Sequence, residues 1–192
     1  MNLSKDNPIA NIFAGVDGSG KTTLYYDKLE RKKHFGYRIN IDEIVSSFGD
    51  WREEKDQFRA GKIACLMLEK CIKKQISFNQ EVKNIYKDDF IELRGKGYKI
   101  HLYYVGVDSV EIAKQRVAMR VAKGGHDIAH SVIEKRYIQS FYNLNEVIDL
   151  CDEIYLYDNS VSLRYVGRIR KNQFESKNII ETMPKWIQRI EC

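Results

Sequence analysis

The sequence has no apolar run long enough to cross a lipid bilayer, and its opening residues lack the uninterrupted apolar segment of a secretory signal. It also lacks internal repeats, low-complexity linkers and an arginine-rich tail. These absences argue against a membrane protein, a secreted protein, a repeat protein and a nucleic-acid-binding protein. We therefore expect a cytoplasmic protein with neither a membrane nor a nucleic acid as partner.

Cysteine is sparse and shows no pattern. Cys65, Cys71, Cys151 and Cys192 form no CxxC pair and have no zinc-ligand spacing, so we expect free thiols in a reducing compartment. The net charge of +5 could favour an anionic ligand. The basic cluster "GRIRKNQ" near residues 167–173 is interpreted as a solvated strand or turn.

Strands and helices alternate along the chain, whose 192 residues are 43% hydrophobic. Apolar and alternating runs predict five strands, at residues 10–16, 37–42, 75–81, 98–107 and 153–158. A long amphipathic helix is predicted by apolar residues at helical spacing, namely Ala60, Ile63, Ala64, Met67, Leu68, Cys71 and Ile72. This alternation predicts one α/β domain over residues 1–192, with a mostly parallel sheet of five strands, or six.

The segment "AGVDGSGKTTL" (14–24) contains a complete G-x-x-x-x-G-K-[ST] phosphate-loop motif between a strand and a helix. The residues assigned to nucleotide binding are Gly15, Asp17, Gly18, Ser19, Gly20, Lys21, Thr22 and Thr23. Backbone N–H groups and Lys21 would bind the phosphates, and the Thr22 hydroxyl would ligate Mg²⁺. The motif predicts a P-loop NTPase-type three-layer sandwich that uses ATP or GTP. It does not distinguish a GTPase switch, an ATPase motor or a small-molecule kinase.

Acidic residues end two of the predicted strands, where ligands bind in parallel sheets. Asp42 could accept the proton of an attacking hydroxyl or hold a magnesium-bound water, and it could also cap the following helix. Glu81 could bind a sugar hydroxyl, assist magnesium binding, or serve a structural purpose. Both residues are therefore candidates for the acceptor side of the site.

Three arginines mark a predicted lid over about residues 109–140. Arg116 and Arg120 lie four residues apart on one helix, and Arg136 follows on the next helix. An anion between such like charges would stabilise them, so the pair of helices could close over a transferring phosphate. The alternative is a solvated face paired with Glu111 and Glu134.

The boundaries around the lid are predicted from capping patterns. Asp108 with Glu111, and Ser131 with Glu134, resemble capping boxes at the starts of the two helices. The C-terminal extension, about residues 160–192, is expected to hold a small hairpin around "LRYVGRIRKNQF" and a short terminal helix.

From about Ile9 to Ser160 the chain resembles the zeta toxin family of P-loop kinases. The segments that carry the resemblance are, in order, "IFAGVDGSGKTTL", "RINIDEI", "FRAGKIA", "ISFNQE", "YYVGVDSVEIAKQRVAMRVAKGGHDI", "IEKRYIQSFYNL" and "YDNS". The resemblance implies phosphoryl transfer from ATP or GTP to the 3′-hydroxyl of the amino sugar of UDP-N-acetylglucosamine. It also implies a small helical antitoxin as a possible partner.

By position, the resemblance implies that Lys21 and Thr22 bind the nucleotide and magnesium. It also implies that Asp42 is the catalytic base. Glu81 matches the acidic residue that contacts the sugar nucleotide. Arg120 and Arg136 match the two phosphate-binding arginines of the lid, and Arg116, one turn from Arg120, is a further substrate-binding candidate.

One departure from the family falls directly after Glu81. The family continues there with two hydroxyl residues and a short loop, whereas this chain has Val82, Lys83 and Asn84. Either the acceptor site is reduced or a short segment is absent from the sequence. This departure keeps open a catalytically reduced nucleotide-binding regulatory module. A kinase of another small metabolite or of a polynucleotide end is a further alternative, since its core would look the same.

Overall fold

Seven strands form one sheet in the computed structural model, which describes residues 7–31, 33–125, 127–176 and 183–191. The strands are β1 (Ile9–Ala14), β2 (Tyr37–Ile39), β3 (Phe78–Glu81), β4 (Lys99–Gly106), β5 (Glu153–Asp158), β6 (Arg164–Arg170) and β7 (Gln173–Ser176). Their order is β2-β3-β1-β4-β5-β6-β7. The first five are parallel and the last two antiparallel.

The described residues include six α-helices and two short 3₁₀-helices. The α-helices are α1 (Lys21–Glu30), α2 (Ile41–Ser46), α3 (Glu54–Lys74), α4 (Lys87–Gly95), α5 (Val110–Ala122) and α6 (His130–Asn145). The 3₁₀-helices span Ile148–Leu150 and Lys185–Arg189. The α/β fold with a mostly parallel sheet is confirmed, and the long helix predicted from its apolar spacing is α3.

Alternating side chains give the sheet two different apolar faces. Ile12 of β1 and Leu102 of β4 belong to the larger core, which includes buried residues from α3, α4, α5 and α6. Phe13 and Tyr103 face the other way, stacked at 4.8 Å between ring centroids, and pack with Leu24 of α1. Helices on both faces of the sheet produce the predicted three layers.

The sheet is larger than predicted because the C-terminal hairpin joins it. β6 pairs with β5, and β7 extends the sheet by a further strand. Lys171 and Asn172 connect the two strands with φ of 50° and 59°, the left-handed values that a tight hairpin turn requires. The predicted basic cluster is therefore strand and turn.

Both predicted capping boxes are wrong. Ser109, not Asp108, occupies the N-cap position of α5, and Asp108 instead accepts a hydrogen bond from the backbone N–H of Trp186 at 3.3 Å. Ala129 precedes α6, so Ser131 lies within the first helical turn, and Glu134 pairs with Lys114 of α5. Asp108 and Glu134 therefore make tertiary contacts in place of the predicted local ones.

The end of the described chain packs beside the carboxyl ends of β4 and β5. The Trp186 indole is buried and donates from Nε1 to Asp158 Oδ1 at 3.1 Å. Its ring packs against Gly106, where an added Cβ would lie 2.3 Å from Trp186 Cε2. Part of the predicted C-terminal extension is therefore integral to the core, while residues 177–182 lie outside the described residues.

Cys65, Cys71 and Cys151 are free thiols, as expected, and Cys192 lies outside the described residues. Across the described ranges, no helix combines the length and apolarity needed for a membrane span.

Candidate active site

The phosphate loop joins β1 to α1 and has the backbone that its motif predicts. Gly15, Gly18 and Gly20 have φ of 139°, 78° and 104°, conformations that side chains with a Cβ rarely adopt. Lys21 begins α1, and its Nζ donates to the carbonyls of Gly15 at 2.8 Å and Val16 at 3.1 Å. Burial lowers the pKa of the Lys21 ammonium, an effect that the negative charges of Asp17 and Glu81 oppose.

A side chain from the far end of the sequence fastens this loop. Asn159, directly after β5, donates from Nδ2 to the backbone oxygen of Ser19 at 2.8 Å. It also crowds Gly20, where an added Cβ would lie 2.4 Å from Nδ2. Sequence reasoning did not assign Asn159, although it belongs to the "YDNS" segment of the family resemblance.

Asp42 lies in the first turn of α2, not at the end of a strand as predicted. β2 ends at Ile39, and Asn40 is the N-cap, accepting at Oδ1 from the backbone N–H groups of Asp42 at 2.9 Å and Glu43 at 3.2 Å. Asn40 therefore performs the capping that was considered for Asp42. The Asp42 side chain is 63% exposed, and its Oδ1 lies 3.7 Å from Nζ of Lys83.

Glu81 ends β3 as predicted and lies beside the start of α1. Its Oε2 accepts from Thr22 Oγ1 at 3.1 Å and from Asn40 Nδ2 at 2.6 Å, and Arg38 Nη2 lies 3.6 Å away. Its Oε1 is buried, and no described residue provides it with a hydrogen-bond partner. A hydroxyl and a carboxylate with a spare oxygen are ligands that suit Mg²⁺, so Thr22 and Glu81 fit this ion.

Most of the predicted site residues line one cavity of about 640 Å³. Its walls include Asp17, Gly18, Gly20, Lys21, Thr22, Thr23, Asp42, Glu81, Arg116 and Arg120. Gly15, Ser19 and Arg136 are not among the lining residues. Nine residues without a predicted role also line it, namely Asn40, Ile41, Gln80, Val82, Lys83, Asn84, Tyr86, Asp89 and Asn159.

Arg136 reaches the site through a residue of the phosphate loop. Its Nη1 lies 2.7 Å from Oδ2 of Asp17, whose side chain is only 3% exposed. Burial by itself would raise the pKa of the Asp17 carboxyl, but the positive charges of Lys21 and Arg136 outweigh it and hold that pKa below its ordinary value. The lid arginine is therefore bound to a carboxylate inside the anion-binding loop.

The arginines of α5 are placed differently from each other. Nη1 of Arg116 is buried, and no described residue accepts a hydrogen bond from it. The stem of Arg120 packs toward the turn after α5, where a Cβ on Gly125 would lie 2.5 Å from Arg120 Cγ. Arg116 therefore has a buried nitrogen that could donate a hydrogen bond to a ligand in the cavity.

The helices of the predicted lid are anchored in the core. Ala113 and Val117 of α5 and Ile133 and Tyr137 of α6 are buried. The Tyr137 hydroxyl also donates to the carbonyl of Val107 at 3.0 Å. These contacts make the predicted lid helices part of the packed core.

Replacing Arg136 with glutamine is expected to raise the pKa of Asp17, because the buried carboxylate loses its nearest positive charge. An ion pair that lowers a carboxyl pKa stabilises the fold above the unfolded value near 3.8 and is lost as pH falls through the folded value. We expect R136Q to lower the free energy of unfolding by about 2 kcal/mol at pH 7 and by progressively less below about pH 4. Urea unfolding across this range, with carboxyl-carbon NMR of Asp17, measures both effects.

The matched control is K135Q, which removes the same charge from an exposed neighbouring position on α6. An equal loss in K135Q, or a loss in R136Q that does not change with pH, would contradict the specific pairing of Arg136 with Asp17.

Comparison with known proteins places this geometry in context. No family model matches the sequence. An uncharacterized protein of Haemophilus influenzae is 29% identical over 132 residues, which are 67% of this chain and 91% of that protein.

Two solved structures share most of the fold. A chain from the PezAT chromosomal toxin–antitoxin system of Streptococcus pneumoniae has a TM-score of 0.59 and 19% identity, over 84% of this chain and 72% of that one. A chain of the AvrRxo1-ORF1:AvrRxo1-ORF2 structure has a TM-score of 0.65 and 15% identity, over 90% of this chain and 61% of that one. At these identities the likeness shows the fold alone, and that fold is the mostly parallel α/β sandwich predicted from the sequence.

Proposed function

We propose that this protein is a kinase that transfers the γ-phosphoryl group of ATP or GTP to a hydroxyl of a small acceptor. One observation carries the proposal. A single cavity joins the phosphate loop to a separate wall that presents Asp42, an exposed carboxylate in the first turn of α2. A nucleotide on the loop and an acceptor on this wall would meet in the same space, as a direct transfer between them requires.

In the transfer step, the acceptor oxygen forms a bond to the γ-phosphorus while the bond from that phosphorus to the β–γ bridging oxygen breaks. The acceptor hydroxyl gives its proton to the Asp42 carboxylate, and the nucleoside diphosphate leaves with the bridging oxygen. We assign the neutralisation of the negative charge on the phosphates to Lys21, Arg120 and Arg136. For Arg136 this means exchanging Asp17 for a phosphate oxygen.

Thr22 and Glu81 are the residues that would hold Mg²⁺, which in kinases neutralises the charge of the β- and γ-phosphate oxygens. Glu81 is thus proposed to bind Mg²⁺ and not the sugar nucleotide, because its Oε2 already contacts the Thr22 hydroxyl. Asn40 and Arg38 contact the same oxygen, Oε2, and hold the carboxylate in position.

We further propose that the acceptor is the 3′-hydroxyl of the amino sugar in UDP-N-acetylglucosamine, with a small helical antitoxin as a partner. The support is the order of family-like segments along the chain, together with a fold shared with a chain of a toxin–antitoxin system. Arg116, Asn84, Tyr86 and Asp89, which line the cavity, would then lie near the sugar nucleotide.

Phosphorus NMR of the purified protein with Mg²⁺, ATP and single acceptors tests the proposal. The panel contains UDP-N-acetylglucosamine, other sugars and nucleosides, and an RNA with a free 5′-hydroxyl. A new sugar-phosphate signal with UDP-N-acetylglucosamine alone is the expected result. Transfer to a different acceptor would support the proposed kinase activity and contradict UDP-N-acetylglucosamine as its substrate.

A second candidate is a nucleotide-binding regulatory module with reduced catalysis. The observation that favours it is the sequence after Glu81, where Val82, Lys83 and Asn84 stand in place of the hydroxyl residues of the resembled family. ATP binding without transfer to any member of the panel would support this candidate and reject the kinase.

A further inference from the structure

Lys83 lies where the acceptor wall meets the phosphate loop, two residues beyond the end of β3. The backbone before it is fixed, because the N–H of Val82 donates to the carbonyl of Phe13 in β1 at 2.9 Å. From there the side chain reaches the cavity, where its Nζ lies 3.7 Å from Asp42 Oδ1. Lys83 is therefore beside the proposed base.

Lys83 also lines the same cavity as the phosphate-loop residues Asp17 and Lys21. A cation that pairs with Asp42 and shares this cavity with the loop is located between the acceptor wall and the loop. In a kinase, the transferring phosphoryl group occupies that place.

The present partner of Lys83 holds it weakly. Its side chain is 43% exposed and that of Asp42 is 63% exposed, and ion pairs of this kind contribute little stability. By contrast, Lys21 is bound to two loop carbonyls and Arg136 to the buried Asp17. Lys83 is thus a cavity cation that can exchange its partner for a phosphate oxygen at small cost.

We propose that Lys83 is a catalytic cation that contacts an oxygen of the γ-phosphoryl group from the acceptor side. The inference rests on the proposed kinase function and adds a residue to it. A base that takes the proton of the attacking hydroxyl must lie within hydrogen-bond reach of that hydroxyl, which itself contacts the phosphorus. An ammonium 3.7 Å from this base lies on the side of the site where the attacking hydroxyl would meet the phosphoryl group, within reach of a charge-assisted contact to its oxygens.

The test compares the affinities of ATP and ADP, because the two nucleotides differ by the group that Lys83 is proposed to contact. Calorimetry with Mg²⁺ is performed on the wild type, K83Q, K83R and K87Q. We expect K83Q to weaken ATP binding about tenfold while ADP binding changes less than about twofold. K83R keeps the charge and should keep the wild-type ratio of the two affinities.

Lys87 supplies the matched control. It lies four residues further along, pairs with Glu146 at 3.3 Å and is not among the residues that line the cavity. K87Q should therefore bind both nucleotides like the wild type. An equal weakening of ATP and ADP in K83Q, or in K87Q, would overturn the proposal by revealing a general charge effect.

Unchanged nucleotide affinities in K83Q would also overturn it, and a raised acceptor KM in that variant would then assign Lys83 to an anionic group of the acceptor. The measurement needs no acceptor, so it separates the two proposals. A Lys83-dependent preference for ATP in a protein that phosphorylates nothing in the acceptor panel would uphold the contact and reject the proposed kinase.

Discussion

The K21A variant is expected to lose phosphoryl transfer by at least about a thousandfold and to bind ATP much more weakly. Lys21 is the cation at the base of the loop, where it would reach the outer phosphates after leaving the carbonyls of Gly15 and Val16. Single cations that stabilise a transferring phosphoryl group change rates by about 10³ to 10⁵. Coupled detection of ADP release and calorimetry with ATP measure the two losses.

The fold of K21A should persist, since alanine removes a buried ammonium and favours the helix that begins at this position. K33A provides the comparison, because Lys33 is exposed and lies beyond the other end of α1. Wild-type ATP affinity in K21A would show that the loop does not bind triphosphate in the proposed way.

The D42N variant is expected to reduce turnover by about 10² to 10⁴ while its ATP affinity stays close to that of the wild type. Asparagine preserves the shape of the side chain, but its amide does not accept the hydroxyl proton. The position in the first turn of α2 should be retained, since the cap is formed by Asn40. Initial rates and ATP titrations on the same preparation separate catalysis from binding.

D88N tests whether any loss in D42N belongs to the site. Asp88 also lies in the first turn of a helix, α4, and it does not line the cavity. D88N should turn over like the wild type. Wild-type turnover in D42N would show that Asp42 is not the base and would leave Glu81 as the remaining candidate.

The main architecture could be predicted because it depends on local patterns that tertiary structure did not override. β1, β3, β4 and β5 were each anticipated within a few residues from their apolar runs. β2 was predicted to run to Asp42, yet it ends at Ile39 because Asn40 caps the next helix with its own side chain. Periodicity does not reveal such a cap when the helix that follows is as short as α2.

The candidate site could be predicted where a motif specifies it and not where distant segments meet. Residues of the phosphate loop follow from spacing alone. The contact between Arg136 and Asp17 spans 119 positions, and that between Asn159 and Ser19 spans 140, so neither leaves a local pattern in the sequence. Lys83 was visible as a departure from a family, but its position beside Asp42 required the fold.

The strand order has a consequence for the order in which the protein can become functional during synthesis. β1 is made first, yet its two neighbours in the sheet are β3 and β4, so its pairing is complete only when about residue 106 has left the ribosome. Asn159, whose side-chain amide donates a hydrogen bond to the backbone oxygen of Ser19, is synthesised later still. A nascent or prematurely terminated chain would therefore carry the whole phosphate-loop motif long before it could hold a nucleotide.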